Sequence, residues 1–218
     1  MADLKEASAN LTEASTDIKE TSEPKRSKKM IKVSVIGTAG RLGLDKQLDK
    51  AIFEKMVAKA KQVILEDFKL DSSSVELVSG GAAWSDHVAV RLFLQKDGFD
   101  SLTLHFPTRW NAETKRFEPR VGQNTSGSSA NGYHTIFSEA MGIETWNELQ
   151  QAIDQGAKVV DSYGGFFDRN SAVAQCDYMI AFTLDEGNAP KKGSGTYNTW
   201  SQCKILPWHK KHVYISEL

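Results

Sequence analysis

The feature that most constrains this chain is the alternation of short β-branched runs with helical stretches through its first half. "MIKVSVIG", from Ile31 to Gly37, is a short run suited to a buried strand, and it ends in the glycine-rich turn "GTAGRLG". From Leu44 to Phe68, Leu48, Ile52, Met56, Val63 and Ile64 recur at helical spacing among lysines and acids, which predicts an amphipathic helix. "SVELVSG" reads as a second strand, the stretch from about Ser85 to Gln95 as a helix, and "SLTLHFP", Ser101 to Pro107, as a third strand. Strand, helix, strand, helix, strand implies parallel crossovers. The expected fold is α/β, a Rossmann-like doubly wound, mostly parallel sheet with helices on both faces.

The second half is less regular. Residues 108–131, "TRWNAETKRFEPRVGQNTSGSSAN", read as a long loop with a Gly-Ser-rich centre, a length that in a compact domain points to function or disorder. Helical segments follow in "YHTIFSEAMG" and "ETWNELQQAIDQG". "DYMIAFTL" reads as a buried strand, "DEGNAPKKGSGT" as a loop, "YNTWSQCKIL" as a helix and "HVYISEL" as a short last strand. Residues 1–29 are polar, without an aromatic, and are expected to form a disordered tail. The expected Rossmann-like domain spans residues 30–218.

Composition narrows the function classes. The formal net charge of -1 gives no global pull toward nucleic acid or membrane, although a local basic groove stays open. Two cysteines, Cys176 and Cys203, make no disulfide framework and no zinc motif, and are expected as thiols in a reducing compartment. The histidines show no metal spacing, so neither a metal nor a cofactor is expected. The absence of an apolar run of roughly 18 residues and of an apolar leader leads us to expect a soluble cytoplasmic protein with no membrane partner. A homo-oligomer is expected.

In an open α/β sheet, ligands gather at the carboxyl ends of the strands. Three glycine-bearing loops fall at such ends: "GTAGRLG", "SGGAAWSD" and "KKGSGTYNTW". Glycine lets backbone N–H groups approach an anion, and a following helix N-terminus adds partial positive charge. Each loop alone is also what a tight turn needs; three at one sheet edge favour a phosphate-bearing ligand. The first loop matches neither the dinucleotide fingerprint nor the P-loop. The ligand-binding set is therefore Gly37, Thr38, Gly40, Ser79, Gly80, Gly81, Trp84, Arg169, Asn170, Gly193, Ser194, Gly195 and Thr196. Arg169 suits bidentate phosphate binding, against a surface salt bridge with Asp168 or Glu186. Trp84 and Trp110 suit base stacking, against core packing. Lys191 and Lys192 can neutralise phosphate or be solvated. Tyr133 and His134 can act as a lid, and His87, His105 and His134 otherwise default to core or surface.

An ordered series, "VSGGAAWSDHVAV", "LHFPTRWN", "RNSAVAQCDYMIAF" and "GSGTYNTW", resembles the YspA-type branch of the SLOG superfamily. That superfamily also holds DNA-processing protein A and the lysine-decarboxylase-like phosphoribohydrolases. The resemblance spans roughly Ile31 to Lys204. It carries the branch's first motif onto Ser79, Gly80, Gly81, Ala82 and Asp86, its second onto Phe106, Pro107 and Trp110, and its Arg-Asn pair onto Arg169 and Asn170. The strand motif falls on Asp177, Ala181 and Phe182, and the Gly-Thr loop on Gly195 and Thr196. Trp84 stands where the branch has glycine. Thr199 stands where the phosphoribohydrolases have the glutamate used in cleaving an N-glycosidic bond.

The resemblance and the loops together imply binding of a nucleotide or nucleotide-derived small molecule, with hydrolysis of a nucleotide or N-glycosidic bond as a coupled activity. Asp86 is then the carboxylate for general base work, against a simple helix cap. A non-catalytic nucleotide sensor and a single-stranded nucleic-acid binder remain as alternatives, the latter less favoured.

Overall fold

The computed structural model describes residues 29–41, 43 and 47–218. The tail expected over residues 1–29 lies outside them except for its last residue, as does the start of the first expected helix. A six-stranded sheet runs in the order β6-β3-β2-β1-β7-β8, with every pairing parallel. Its strands are β1 (Ile31–Gly37), β2 (Val75–Ser79), β3 (Ser101–His105), β6 (Lys158–Val160), β7 (Tyr178–Thr183) and β8 (Lys210–Tyr214). Val33 pairs with Leu77 on one side and with Tyr178 on the other, so β1 is central and buried on both faces. The expected Rossmann-like α/β sheet is the observed one.

The pleat sorts the strand side chains into two cores. Val33, Val35, Leu77, Ile180 and Phe182 face one, with the helices α1 (Lys50–Gln62), α2 (His87–Leu94), α3 (Ser126–Met141) and α4 (Thr145–Asp154). Ile36, Val78, Met179 and Ala181 face the other, with α5 (Phe166–Val173) and α6 (Gly195–Gln202). The period-2 side-chain alternation in these buried strands sends successive residues to opposite helix layers. Helix α1 is capped by Asp49, which accepts from the Ile52 N–H at 2.8 Å, and it passes into a π turn over Val63–Asp67.

The region 108–131 is not a loop. It holds the short antiparallel hairpin of β4 (Trp110–Asn111) and β5 (Arg116–Phe117), and then the first turns of α3. "SGSSANG" is helical against its weak propensity because tertiary contacts override it. The Asn131 side chain accepts from the Phe117 N–H at 3.1 Å and donates to the Phe117 carbonyl at 2.8 Å, completing the hairpin edge. A methyl at Gly127 would lie 1.9 Å from the Glu118 carbonyl oxygen, so the helix and the strand pass at contact distance.

Strands β1, β2 and β3 add in one direction, and β7 and β8 add on the far side of β1. The order therefore reverses between β1 and β7. Crevices form at the carboxyl ends of strands flanking such a reversal.

Candidate functional site

The crevice is present. A cavity of about 510 Å³ lies at the carboxyl ends of β1, β2 and β7. Gly37, Thr38, Gly80, Gly81, Asp86, Arg169, Asn170, Ser194, Gly195 and Thr196 line it, which brings ten of the sequence-selected residues together.

The loops are interlocked at the end of β1. The Thr38 N–H donates to the Phe182 carbonyl at 2.9 Å, and Ser85 Oγ donates to the same oxygen at 3.1 Å. The Ser85 N–H donates to the Thr38 carbonyl at 3.2 Å, and Thr196 Oγ1 to the Gly37 carbonyl at 2.9 Å. The other two glycine loops are thus each fastened to the first. The Thr196 hydroxyl proton is committed to Gly37, so Thr196 offers the cavity its backbone N–H. Ser194 caps α6, its Oγ accepting from the Tyr197 N–H at 3.0 Å. The first intrahelical bond of α6 runs from the Asn198 N–H to the Ser194 carbonyl, which leaves the Gly195 and Thr196 N–H groups without an intrahelical acceptor.

Asp86 and Arg169, chosen separately from sequence, are partners: Arg169 Nη1 donates to Asp86 Oδ2 at 2.9 Å, with both side chains nearly fully buried. Asp86 stands at the N-cap position of α2, but its side chain makes no capping hydrogen bond. Burial raises its carboxyl above the ordinary value, while the Arg169 charge and hydrogen bond and the Ala82 and Gly80 N–H groups oppose that rise. The alternative weighed against a phosphate clamp, a surface salt bridge of Arg169 with Asp168 or Glu186, is not what forms; the partner is the buried Asp86. A methyl at Gly80 would fall 1.3 Å from Arg169 Nη1 and 2.5 Å from Asp86 Oδ2. Gly80 is thus the seat on which the ion pair rests. The guanidinium also lies 5.6 Å from the Phe166 ring centroid, and among the described residues Arg169 Nε has no acceptor.

Four selected residues do not line the cavity. Ser79 is buried and holds the turn, its Oγ donating to the Asp86 carbonyl at 2.7 Å and accepting from the Gly81 N–H at 3.0 Å. Gly193 lies outside the lining, and Gly40 backs onto the Trp84 indole. Trp84 is not a stacking platform: it is 0% exposed and packs on Phe137 at 4.6 Å and Phe53 at 6.4 Å. Its φ of 59 lies in the left-handed region that glycine favours. Trp110 packs on Phe106 and Phe117, with Nε1 donating to Gln150 at 2.8 Å.

Arg41, Phe166, Phe167 and Asp185, none of them among the sequence-selected residues, also line the cavity. Arg41 sits in the first glycine loop, and Phe166–Phe167 opens the helix that carries Arg169, so position at a strand's carboxyl end was the available signal. Phe167 is 73% exposed. Tyr133, Lys191 and Thr199 also line the cavity, while Lys192 does not.

His134 joins the floor to α3 rather than closing over it. Nε2 lies 3.0 Å from the Gly81 carbonyl and Nδ1 3.0 Å from Thr145 Oγ1. The carbonyl can only accept, which assigns the proton to Nε2 of a neutral ring. Burial pushes the ring down to about 3, with the neighbouring His87 and Arg116 adding to the effect. Unfolding lets the ring protonate below its ordinary 6.5. The associated stability is fully present above that value and falls as pH drops through the window, by up to ~1.4 kcal/mol per pH unit. His134→Gln should therefore show a shallower fall in unfolding free energy between about pH 6 and 4 in denaturant titrations. Parallel slopes would contradict the assignment. His87, bonded to Glu148 at 2.8 Å, and His105, bonded to Tyr163 at 2.6 Å, are also held below their ordinary value by burial first, His105 at about 4.

Among the described residues, no group of three or more His, Cys, Asp or Glu could hold a metal, and no helix is long and apolar enough to cross a membrane.

No family model matches the chain. The uncharacterized protein R261 of Acanthamoeba polyphaga mimivirus is 35% identical over 176 residues, covering 80% of this chain and 91% of that protein. The chain belongs to the family of protein R261. The fold is also similar to a solved structure of DNA processing protein A from Helicobacter pylori, described for its single-stranded DNA binding mode. That likeness has a TM-score of 0.41 and 15% identity, and covers 84% of this chain and 64% of the other.

Proposed function

We propose that the R261-family cavity binds a nucleotide-like small molecule, with phosphate over the α6 N-terminus and base against the aromatic wall. The observation that carries this reading is one cavity bounded by two different chemistries. Its polar lining includes the opening residues of α6, the Gly37–Thr38 turn, Lys191 and Arg41. Its aromatic lining is Tyr133, Phe166 and Phe167. Helix N-termini and cations favour anions, and aromatic faces favour flat rings. Arg169 also lines the cavity, and its guanidinium charge favours an anion there.

Asp86 acts here as a positioning residue. Its carboxylate holds Arg169 and the Gly80–Ala82 backbone, which competes with duty as a general base. Thr199, which stands where the lysine-decarboxylase-like phosphoribohydrolases carry a glutamate, lines the cavity without a carboxylate. The leading reading is therefore binding.

Thermal shift against nucleotides, matched nucleosides and inorganic phosphate tests the proposal. Nucleotides should raise Tm more than nucleosides do. The reading fails if none raises Tm while a labelled oligonucleotide binds with a steep salt dependence. Phe167→Ala should weaken nucleotide binding about 3–10-fold and leave phosphate binding unchanged, because it removes only a stacking face. Calorimetry would check this, and an equal loss for phosphate would count against the orientation.

A further inference from the structure

The two cysteines, expected as buried or half-buried thiols, lie together. Cys176 Sγ and Cys203 Sγ are 3.5 Å apart, and both are free. Cys176 sits two residues before β7 and is half-buried; Cys203 is the C-cap of α6 and is buried. We propose that Cys176 and Cys203 are a redox pair that closes to a reversible disulfide, fastening α6 to the start of β7.

Geometry carries the inference. The sulfurs need to approach by only about 1.5 Å to reach bonding distance. Cys203 ends its helix with its N–H donating to the Thr199 carbonyl at 3.2 Å, so the approach falls to the two side chains rather than to the backbone. Lys210 Nζ donates to the Cys203 carbonyl at 2.7 Å and to the Trp200 carbonyl at 2.8 Å, which places an ammonium beside the buried thiol. The pair is also asymmetric. The hydrogen bond shared with Cys176 lowers Cys203 to about 7, with Lys210 contributing, whereas Cys176 is raised by that same bond and by burial. Cys203 is therefore the sulfur that ionises and Cys176 the one that resolves.

With hydrogen peroxide as oxidant, the Cys203 thiolate attacks one peroxide oxygen. The S–O bond forms, the O–O bond breaks and hydroxide leaves. Cys176 sulfur then attacks the sulfenic sulfur; the S–S bond forms, the S–O bond breaks, and the departing hydroxide leaves as water with the Cys176 proton. The hydroxide from the first step takes the proton released when Cys203 ionised. Two thiols and one peroxide give one disulfide and two waters, with the sulfurs oxidised and the peroxide reduced by two electrons.

The location gives the bond a consequence. The covalent ring would enclose β7, the loop after it and all of α6. That segment contributes Thr183, Asp185, Lys191, Gly195 and Thr199 to the cavity. Oxidation would limit how far this wall can move relative to β1, and would stabilise the fold by constraining the unfolded chain.

The test is peroxide titration of the full chain, followed by blocking of residual thiols and peptide mapping. The expected product is a chain that has lost two hydrogens, carries a Cys176–Cys203 peptide cross-linked within that chain, returns to two thiols with dithiothreitol and melts several degrees higher. Cys176→Ser should stop Cys203 at the sulfenic acid, detected with a dimedone-type probe. The proposal is overturned if wild-type protein keeps both thiols alkylatable, links chains to one another, or gives the cross-link with no change in melting. The wild-type peptide map decides the question even if a serine variant fails to fold.

Discussion

Asp86→Ala is expected to destabilise the protein by about 3–5 kcal/mol, a fall in Tm of roughly 6–20 °C. The size follows from what the mutation leaves behind. Arg169 is nearly buried, and removing its carboxylate leaves a guanidinium charge in a cavity floor whose other near neighbour is the Phe166 ring. The Gly80 and Ala82 N–H groups lose their acceptor in the same change. Asp86→Asn keeps an oxygen for these donors and should cost less. It also leaves the Arg169 charge uncompensated beside the cavity, so phosphate-bearing ligands should bind the asparagine variant more tightly although its fold is weaker. A general base would behave differently, with turnover lost and binding unchanged. Denaturant unfolding with calorimetry on both variants separates these roles. A loss below about 1 kcal/mol for Asp86→Ala would show the pair to be peripheral.

Gly37→Ala should be of similar size, about 3–6 kcal/mol, through a different mechanism. The added methyl would lie 2.0 Å from the Phe182 carbonyl oxygen and 2.7 Å from Ser85 Cβ, at a φ of +154. That carbonyl accepts from both Thr38 and Ser85, so it cannot move without opening the junction of β1, β7 and the loop after β2. Gly132→Ala in α3, where a methyl meets nothing within 4 Å, is the control and should be neutral or stabilising. Chemical denaturation that finds the two variants equally stable would contradict the interlocked arrangement of the loops.

The sheet was legible because β-branched runs alternating with amphipathic helices leave few topologies, and the glycine loops were legible because they follow those strands. Partnerships across the fold were not. Asp86 and Arg169 are 83 positions apart, and each on its own reads as a free functional group. Trp84 looked like a stacking aromatic, but its direction is set by a left-handed backbone and by Phe53 and Phe137, none of which leaves a local signal. "SGSSANG" read as loop because its propensity is weak; the contacts that make it helical, at Glu118 and Phe117, come from the hairpin before it. The aromatic wall was missed because Phe166 and Phe167 look like core residues, and the exposure of Phe167 emerges only once α5 is placed at the sheet edge.

The most direct test of the central claim is calorimetric comparison of a nucleoside 5′-phosphate with its parent nucleoside, on wild-type protein and on Arg169→Lys. If phosphate lies at the α6 N-terminus beside Arg169, wild type should favour the phosphorylated ligand by about tenfold or more, a difference of ~1.4 kcal/mol, and the lysine variant should lose part of that preference while keeping its affinity for the nucleoside. Equal affinities for the two ligands, or no binding of either, would contradict the phosphate site.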